Sequence, residues 1–363
     1  MDWAEDADER VYLLQSTAYR LIGVGARHAI DVVQRIGLPQ NNKACRVILL
    51  NNNVPQVSLY FQPTPEQPVP DYRSWQVSYD LGQTWKKVPK SGVKNSSLFK
   101  VDIVVYPELK LRNLIITQVY EVLFNLSPAV EVSLWKGMKL TGQVIFPIVN
   151  QYGSEFRQVR EGYVSLSQTV RLPHNIFLTG TVGTFNNDRW GGDMAARYIF
   201  RNERFSIDAR MGYTGLSRFE NWRWKVSPLK RLTWSVGGNY YWTRYNTQLS
   251  LKAEQYLLGE KGVRFDLVRH FRHASIGFYG MKVQRAGNGG LNGGIRFQIA
   301  LPPYKYKRHG HIPRVMPSAY WGMSYNAGNE RYYGRSFNPR IDENIASQDS
   351  FNPYFIKTEL LSY

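Results

Sequence analysis

The sequence predicts a mainly β protein: a transmembrane antiparallel β-barrel of about fourteen strands, twelve to sixteen being compatible, behind a small α+β domain. Three observations predict it. The first is alternation. Between Thr233 and Tyr245 one face carries Trp234, Val236, Gly238, Tyr240 and Trp242, and the other Thr233, Ser235, Gly237, Asn239 and Thr243, a period of two. The pattern restarts at Leu249, Leu251, Ala253 and Leu257 against Ser250, Lys252 and Glu254. It recurs at Val263, Phe265 and Leu267, and at Ile295, Phe297, Ile299 and Leu301. The second is the chemistry of the two faces. The apolar faces are wide and carry rings near the strand ends, while the polar faces mix both charge signs, which suits lipid on one side and a lumen on the other. A soluble β-sandwich also alternates and is the competing architecture, but its outward face would be densely charged. The third is that no run approaches the ~18 uncharged apolar residues of a spanning helix, so strands must do any spanning.

Taken in order, residues 1–112 read as the α+β domain and residues 113–363 as the barrel. Val11 to Tyr19 can form a strand. Ala29, Val32, Val33 and Ile36 fall at helical spacing, and Gly37 followed by Pro39 supplies the stop. Arg46–Leu50 and Val54–Phe61 flank Asn51-Asn52-Asn53 as a hairpin. The prolines from Pro63 to Pro70 impose an extended loop, and Trp75–Tyr79 and Phe99–Tyr106 are further strands. Gly23 and Gly25 lack the spacing of a nucleotide loop. The barrel strands are predicted at 115–126, 129–136, 139–148, 162–172, 175–185, 193–200, 204–215, 232–243, 247–258, 263–271, 274–283, 293–301, 319–326 and 354–362.

With the first domain on the periplasmic side, the connections alternate. Lys136-Gly137-Met138, Pro173-His174 and Arg201-Asn202-Glu203 are tight and inside. Val149–Glu161, Asn186–Gly192, Leu216–Lys230, Gln284–Asn292 and Ala327–Pro353 are long and outside, as in outer-membrane barrels. Pro302–Pro317, long and basic, breaks that rule on the inside. The single cysteine, Cys45, excludes an internal disulfide. The opening MDWAEDADER is acidic where a secretory leader is basic and then apolar, so a processed chain or a piece of a longer one is expected. The net charge of +18 is compatible with nucleic acid, anionic lipid or an acidic polymer as partner, and with solubility alone. No nucleic-acid module is visible, so the acidic candidates are a polysaccharide and the lipopolysaccharide leaflet.

Several stretches are similar to the YjbH-like family of outer-membrane proteins of exopolysaccharide biosynthesis. They are LWKGMKLTGQVIFP (Leu134 to Pro147), RLPHN (Arg171 to Asn175), RLTWSVGGNYYW (Arg231 to Trp242), QYLLGEKGVRFDLVRHFRHASIGFYG (Gln255 to Gly280) and IALPPYKYK (Ile299 to Lys307). The resemblance implies a Gram-negative outer-membrane β-barrel with periplasmic α/β parts, working with other secretion proteins to export or anchor a polysaccharide. It implies no catalysis, cofactor or ligand residues.

The nearest thing to a site is the set of charges that alternation aims inward. Arg197, Arg210, Lys252, Arg264 and Arg296 are the candidate polysaccharide-binding residues, opposed by Glu131, Asp208, Glu254 and Asp266. Such charges can guide an anionic glycan, with tyrosines and tryptophans as stacking platforms, or can pair with one another and fill the lumen. His273 and Ser275 share a strand face at i, i+2 beside His270, the one arrangement that suggests a barrel deacylase acting on lipid A or glycan. No carboxylate is placed to orient that imidazole, and a non-catalytic barrel is the expectation, with a general porin as the third reading. His309 and His311 lack acidic or cysteine partners for a metal.

Overall fold

The computed structural model describes residues 2–19, 21–39, 42–91, 96–113, 120–220, 223–284, 290–299, 305, 314–315, 321–326, 334–341 and 350–361. The described residues are mainly β, 60% strand and 13% helix, and among them no helix is long and apolar enough to cross a membrane.

The first sheet contains β1 (Asp2–Glu5), β2 (Glu9–Leu14), β3 (Ala44–Asn51), β4 (Val54–Phe61) and β5 (Gln76–Ser78), in that order. Helix α1 (Ile22–Ile36) forms the crossover between β2 and β3, which run parallel. It ends where the sequence predicts, with Gly37 in a positive-φ conformation. Asn52 and Asn53 take left-handed φ in the β3–β4 turn, which Asn tolerates better than most residues. Ile30, Val33, Val47, Leu59 and Trp75 fill the core. Cys45 lies within it, and burial pushes its thiol up to about 12.

The second sheet is antiparallel along thirteen strands: β6 (Val101–Asn113), β7 (Tyr120–Trp135), β8 (Met138–Asn150), β9 (Arg160–Leu172), β10 (Ile176–Phe185), β11 (Arg189–Ile199), β12 (Phe205–Glu220), β14 (Arg231–Trp242), β15 (Thr247–Gln255), β16 (Lys261–His270), β17 (Ala274–Gln284), β18 (Gly290–Ile299) and β20 (Trp321–Asn326). A short β13 (Arg223–Val226) folds back on β12, and β19 (Arg314–Val315) lies parallel to β6. The sheet does not close into a barrel by hydrogen bonds. Its two ends nonetheless come together, β20 and β6 lying within 8 Å, Cα to Cα.

Several expectations need correction. The strand expected at Phe99–Tyr106 in the first domain starts as β6 and pairs with β7 in the large sheet. Segments 115–126 and 129–136 are one strand as far as they are described. Pro128 reads as a break because it cannot donate to a ladder. Here the ladder to β6 runs through Pro128, while the ladder to β8 skips Ser127 and Pro128. The final strand at 354–362 is instead helix α2 (Pro353–Leu361). Asn352 caps it, its Oδ1 accepting from the Tyr354 N–H at 3.0 Å, and proline at the first helical position needs no donor. Leu257 does not continue β15 outward. The strand ends at Gln255, and Leu257 is buried with Phe185 and Phe337. His309, His311, Leu301 and most of Pro302–Pro317 lie outside the described residues.

Helix α2 belongs to the first module's core, to which Ile356 and Leu360 contribute. Lys357 Nζ donates to the carbonyls of Tyr72, Arg73 and Trp75. The Gly23 N–H, at the start of α1, donates to the Glu359 carboxylate at 2.6 Å. A β-carbon on Gly23 would lie 2.4 Å from Glu359 Cβ and 2.6 Å from the Ile356 carbonyl. Only glycine permits that approach.

Candidate functional site in the concave face of the sheet

Alternation sorts the large sheet into two faces of reversed polarity. On the convex face Val182, Met194, Val236, Leu251 and Phe278 are each half or more exposed. On the concave face the polar side chains of Asn125, Ser127, Gln143, Ser165, Thr181, Asp193 and Asn239 are buried. The facing assigned to Val236 and Leu251 from the sequence is the observed one. Where the strands meet the tight turns, the convex face carries Tyr198 against Phe200, Phe205 against Tyr240 and Trp242 against Tyr245.

The tight turns also hold the first module. The Gly137 N–H donates to the Asn52 carbonyl at 2.9 Å. Arg171 at the end of β9 donates to the carbonyls of Gln56 and Tyr79 at 2.7 and 2.5 Å. Glu203, between β11 and β12, accepts from the Ser78 hydroxyl and the Tyr79 N–H. The module therefore covers one end of the concave face. From the opposite end the chain returns across that face. The Ser336 carbonyl accepts from Asn187, and the Asn338 N–H donates to Asn186. Phe337 stacks on Phe185 with centroids 5.3 Å apart. Ile341 packs on Val104 and Tyr106, and the chain then reaches α2 at the module.

Within this enclosure the five candidate cations do not act alone. Arg197 and Asp208 are directly opposite on β11 and β12, and the guanidinium grips the carboxylate at 2.7 and 3.2 Å. Arg210 donates to Asp193 at 2.6 Å and lies 5.1 Å above the Phe337 ring. Arg264 holds Asp266, two residues along β16, at 2.8 and 2.9 Å. Arg296 from β18 lies 4.7 Å above the Tyr279 ring, and Arg264 lies 4.5 Å from it. Lys252 is opposite Gly237, where an added β-carbon would lie 2.4 Å from Lys252 Cγ. That glycine leaves room for the lysine stem. Of the opposing acids, Glu131 pairs with Lys139 at 2.7 Å and accepts from the Tyr106 hydroxyl. Asp208 also accepts from Asn239, which bonds Ser250. The inward aim read from alternation is thus accompanied by pairing that single-strand reasoning does not reveal, because partners depend on which strands become neighbours.

The histidine–serine pair also differs from the expected one. His270 closes β16 and Ser275 lies opposite it on β17, with Nδ1 3.0 Å from the hydroxyl. Both are buried, and the Phe355 ring of α2 lies 5.2 Å from the imidazole. His273 sits in the turn between the two strands rather than opposite Ser275. The hairpin signal was present in Phe271-Arg272-His273, since a tight turn there sets position 270 against 275. Among the described residues no cluster of His, Cys, Asp and Glu could hold a metal. No family model matches the chain, and no curated protein matches it.

Proposed function

We propose that this chain forms an outer-membrane β-barrel whose first module and α2 lie on the periplasmic side, and that it anchors an exopolysaccharide at the surface without catalysis. The reversed polarity of the large sheet carries this reading. Burying serines, asparagines and ion pairs while exposing Val182, Met194, Leu251 and Phe278 is unfavourable in water and favourable in lipid. The approach of β6 to β20 and the aromatic rim at the tight turns also support a closed barrel in a bilayer. Anchoring is favoured over a general porin because the module and residues 334–341 occupy the concave face. The polysaccharide itself comes from the likeness of Leu134–Pro147 and Gln255–Gly280 to the YjbH-like family.

Two measurements test this. The protein should fractionate with the outer membrane and migrate faster on gels before boiling than after. A strain lacking it should lose surface-bound polysaccharide while secreting polymer into the medium. Recovery as a soluble monomer without detergent would sink the barrel, and unchanged surface polymer would sink the anchoring role.

The His270–Ser275 contact favours a second reading, a barrel hydrolase in which imidazole activates the hydroxyl. Its burial beneath Phe355 favours a structural hydrogen bond instead. The reading predicts a lipid A mass shift lost in both His270→Ala and Ser275→Ala; our proposal predicts identical lipid A in all three strains.

A further inference from the structure

Between the module and the concave face lies a cavity of about 610 Å³, within the range of small-molecule sites. Three parts of the chain build its wall: Gln15 and Gln56 from the module, Thr179 and Ser235 from the sheet, Phe337 and Phe351 from the returning segment. Amide and hydroxyl groups both donate and accept, as sugar hydroxyls do, and aromatic rings offer apolar faces. Arg340, from the returning segment, also lines the cavity.

Charge narrows the ligand. The chain carries +18 overall, yet the cavity does not share that excess. Arg197 and Arg210 at the wall are held by Asp208 and Asp193, and Lys252 and Arg340 are equalled in number by Glu254 and Glu359. An anionic sugar that engaged Arg197 or Arg210 would have to draw it from its aspartate and strand that carboxylate in a buried setting, a strongly unfavourable exchange, and the wall carries no net positive charge to offset it. A neutral sugar leaves the pairs intact. We propose that this cavity binds a short uncharged stretch of glycan, held by the hydroxyl and amide wall and stacked on the phenylalanines. The proposal rests on the reading of the chain as a polysaccharide-anchoring barrel.

The test uses the full chain in detergent, titrated calorimetrically with cellotetraose, N-acetylated chitotetraose and tetragalacturonate. At least one neutral tetrasaccharide should bind, and tighter than tetragalacturonate. Thr179→Trp and Ser235→Trp, which fill the cavity, should weaken binding tenfold or more. Val182→Trp, on the convex face of the same strand as Thr179, should not. Should the tryptophan variants lose heat-modifiable migration, Thr179→Val and Ser235→Val remove the hydroxyls with little added bulk and should weaken binding in the same sense. Tighter binding of tetragalacturonate, no binding by either neutral sugar, or equal loss in Val182→Trp overturns the proposal. If the protein is in the outer membrane and its deletion strips surface polymer, failure to bind removes only the cavity assignment. If it is soluble, the barrel reading itself falls.

Discussion

Single positions carry the reversed polarity, so single substitutions probe it. Val236 and Leu251 face outward, and arginine at either should impair assembly by ~2–4 kcal/mol if the position lies near the bilayer midplane. Arginine at Ser235, whose side chain borders the cavity, should leave assembly intact. Heat-modifiable migration of membrane fractions measures both, and equal losses on the two faces would refute the facing. Asp6 in the first module gives a second residue-level probe. The Thr84 hydroxyl, at 2.5 Å, and then the Glu9 N–H hold its carboxyl well below the usual carboxylate range. A depressed folded-state pKa gives stability that is present above the unfolded value, about 3.9 for Asp, and lost as pH falls below it. Acidification should therefore reduce hydrogen-exchange protection in β1 and β2, and Asp6→Asn should flatten that dependence.

At the scale of elements, the contact between α1 and α2 is the tightest constraint. Gly23→Ala drives a methyl into Glu359 and the Ile356 carbonyl, and overpacking of this kind costs about 1–3 kcal/mol. Exchange of the α2 amides should accelerate while the large sheet keeps its protection; parallel loosening of both would show that α2 is not separately docked. This contact also marks where sequence reasoning stopped. Strand alternation identified most of the sheet because each strand announces its own two faces. The chain end did not announce itself. Phe355, Ile356, Glu359 and Leu360 bury one helical face, yet the same letters alternate well enough to pass for a strand. The Asn352-Pro353 start signal was the legible clue. Likewise the inward arginines, Asp208 and Asp266 were legible singly, but not which of them pair, nor Asp193. Asp193 reaches Arg210 diagonally from the next strand, a neighbour known only once register is known.

For the whole molecule, the arrangement predicts a sealed rather than conducting sheet. Phe337 stacks on Phe185, borders the cavity and accepts from Arg210 through its carbonyl at 3.2 Å. Truncating it in Phe337→Ala should raise single-channel conductance in planar bilayers above a near-silent wild type. An open wild-type channel would contradict the sealing assigned to residues 334–341 and the module. The charge balance of the interior fits the same picture, since Arg197, Arg210 and Arg264 are each committed to an aspartate.

The return of α2 to the first module imposes an order on folding. Gly23 and Glu359 are separated by 336 residues, a span that contains every described strand of the large sheet. Ile30 and Val33 cannot complete their packing until Ile356 and Leu360 arrive. Closing so long a loop costs entropy only logarithmically in its length, so the helix can find its seat, but late. Until then the nascent module presents a greasy patch, which chaperones and proteases are equipped to recognise. Sealing of that patch would report that the intervening strands have been laid down.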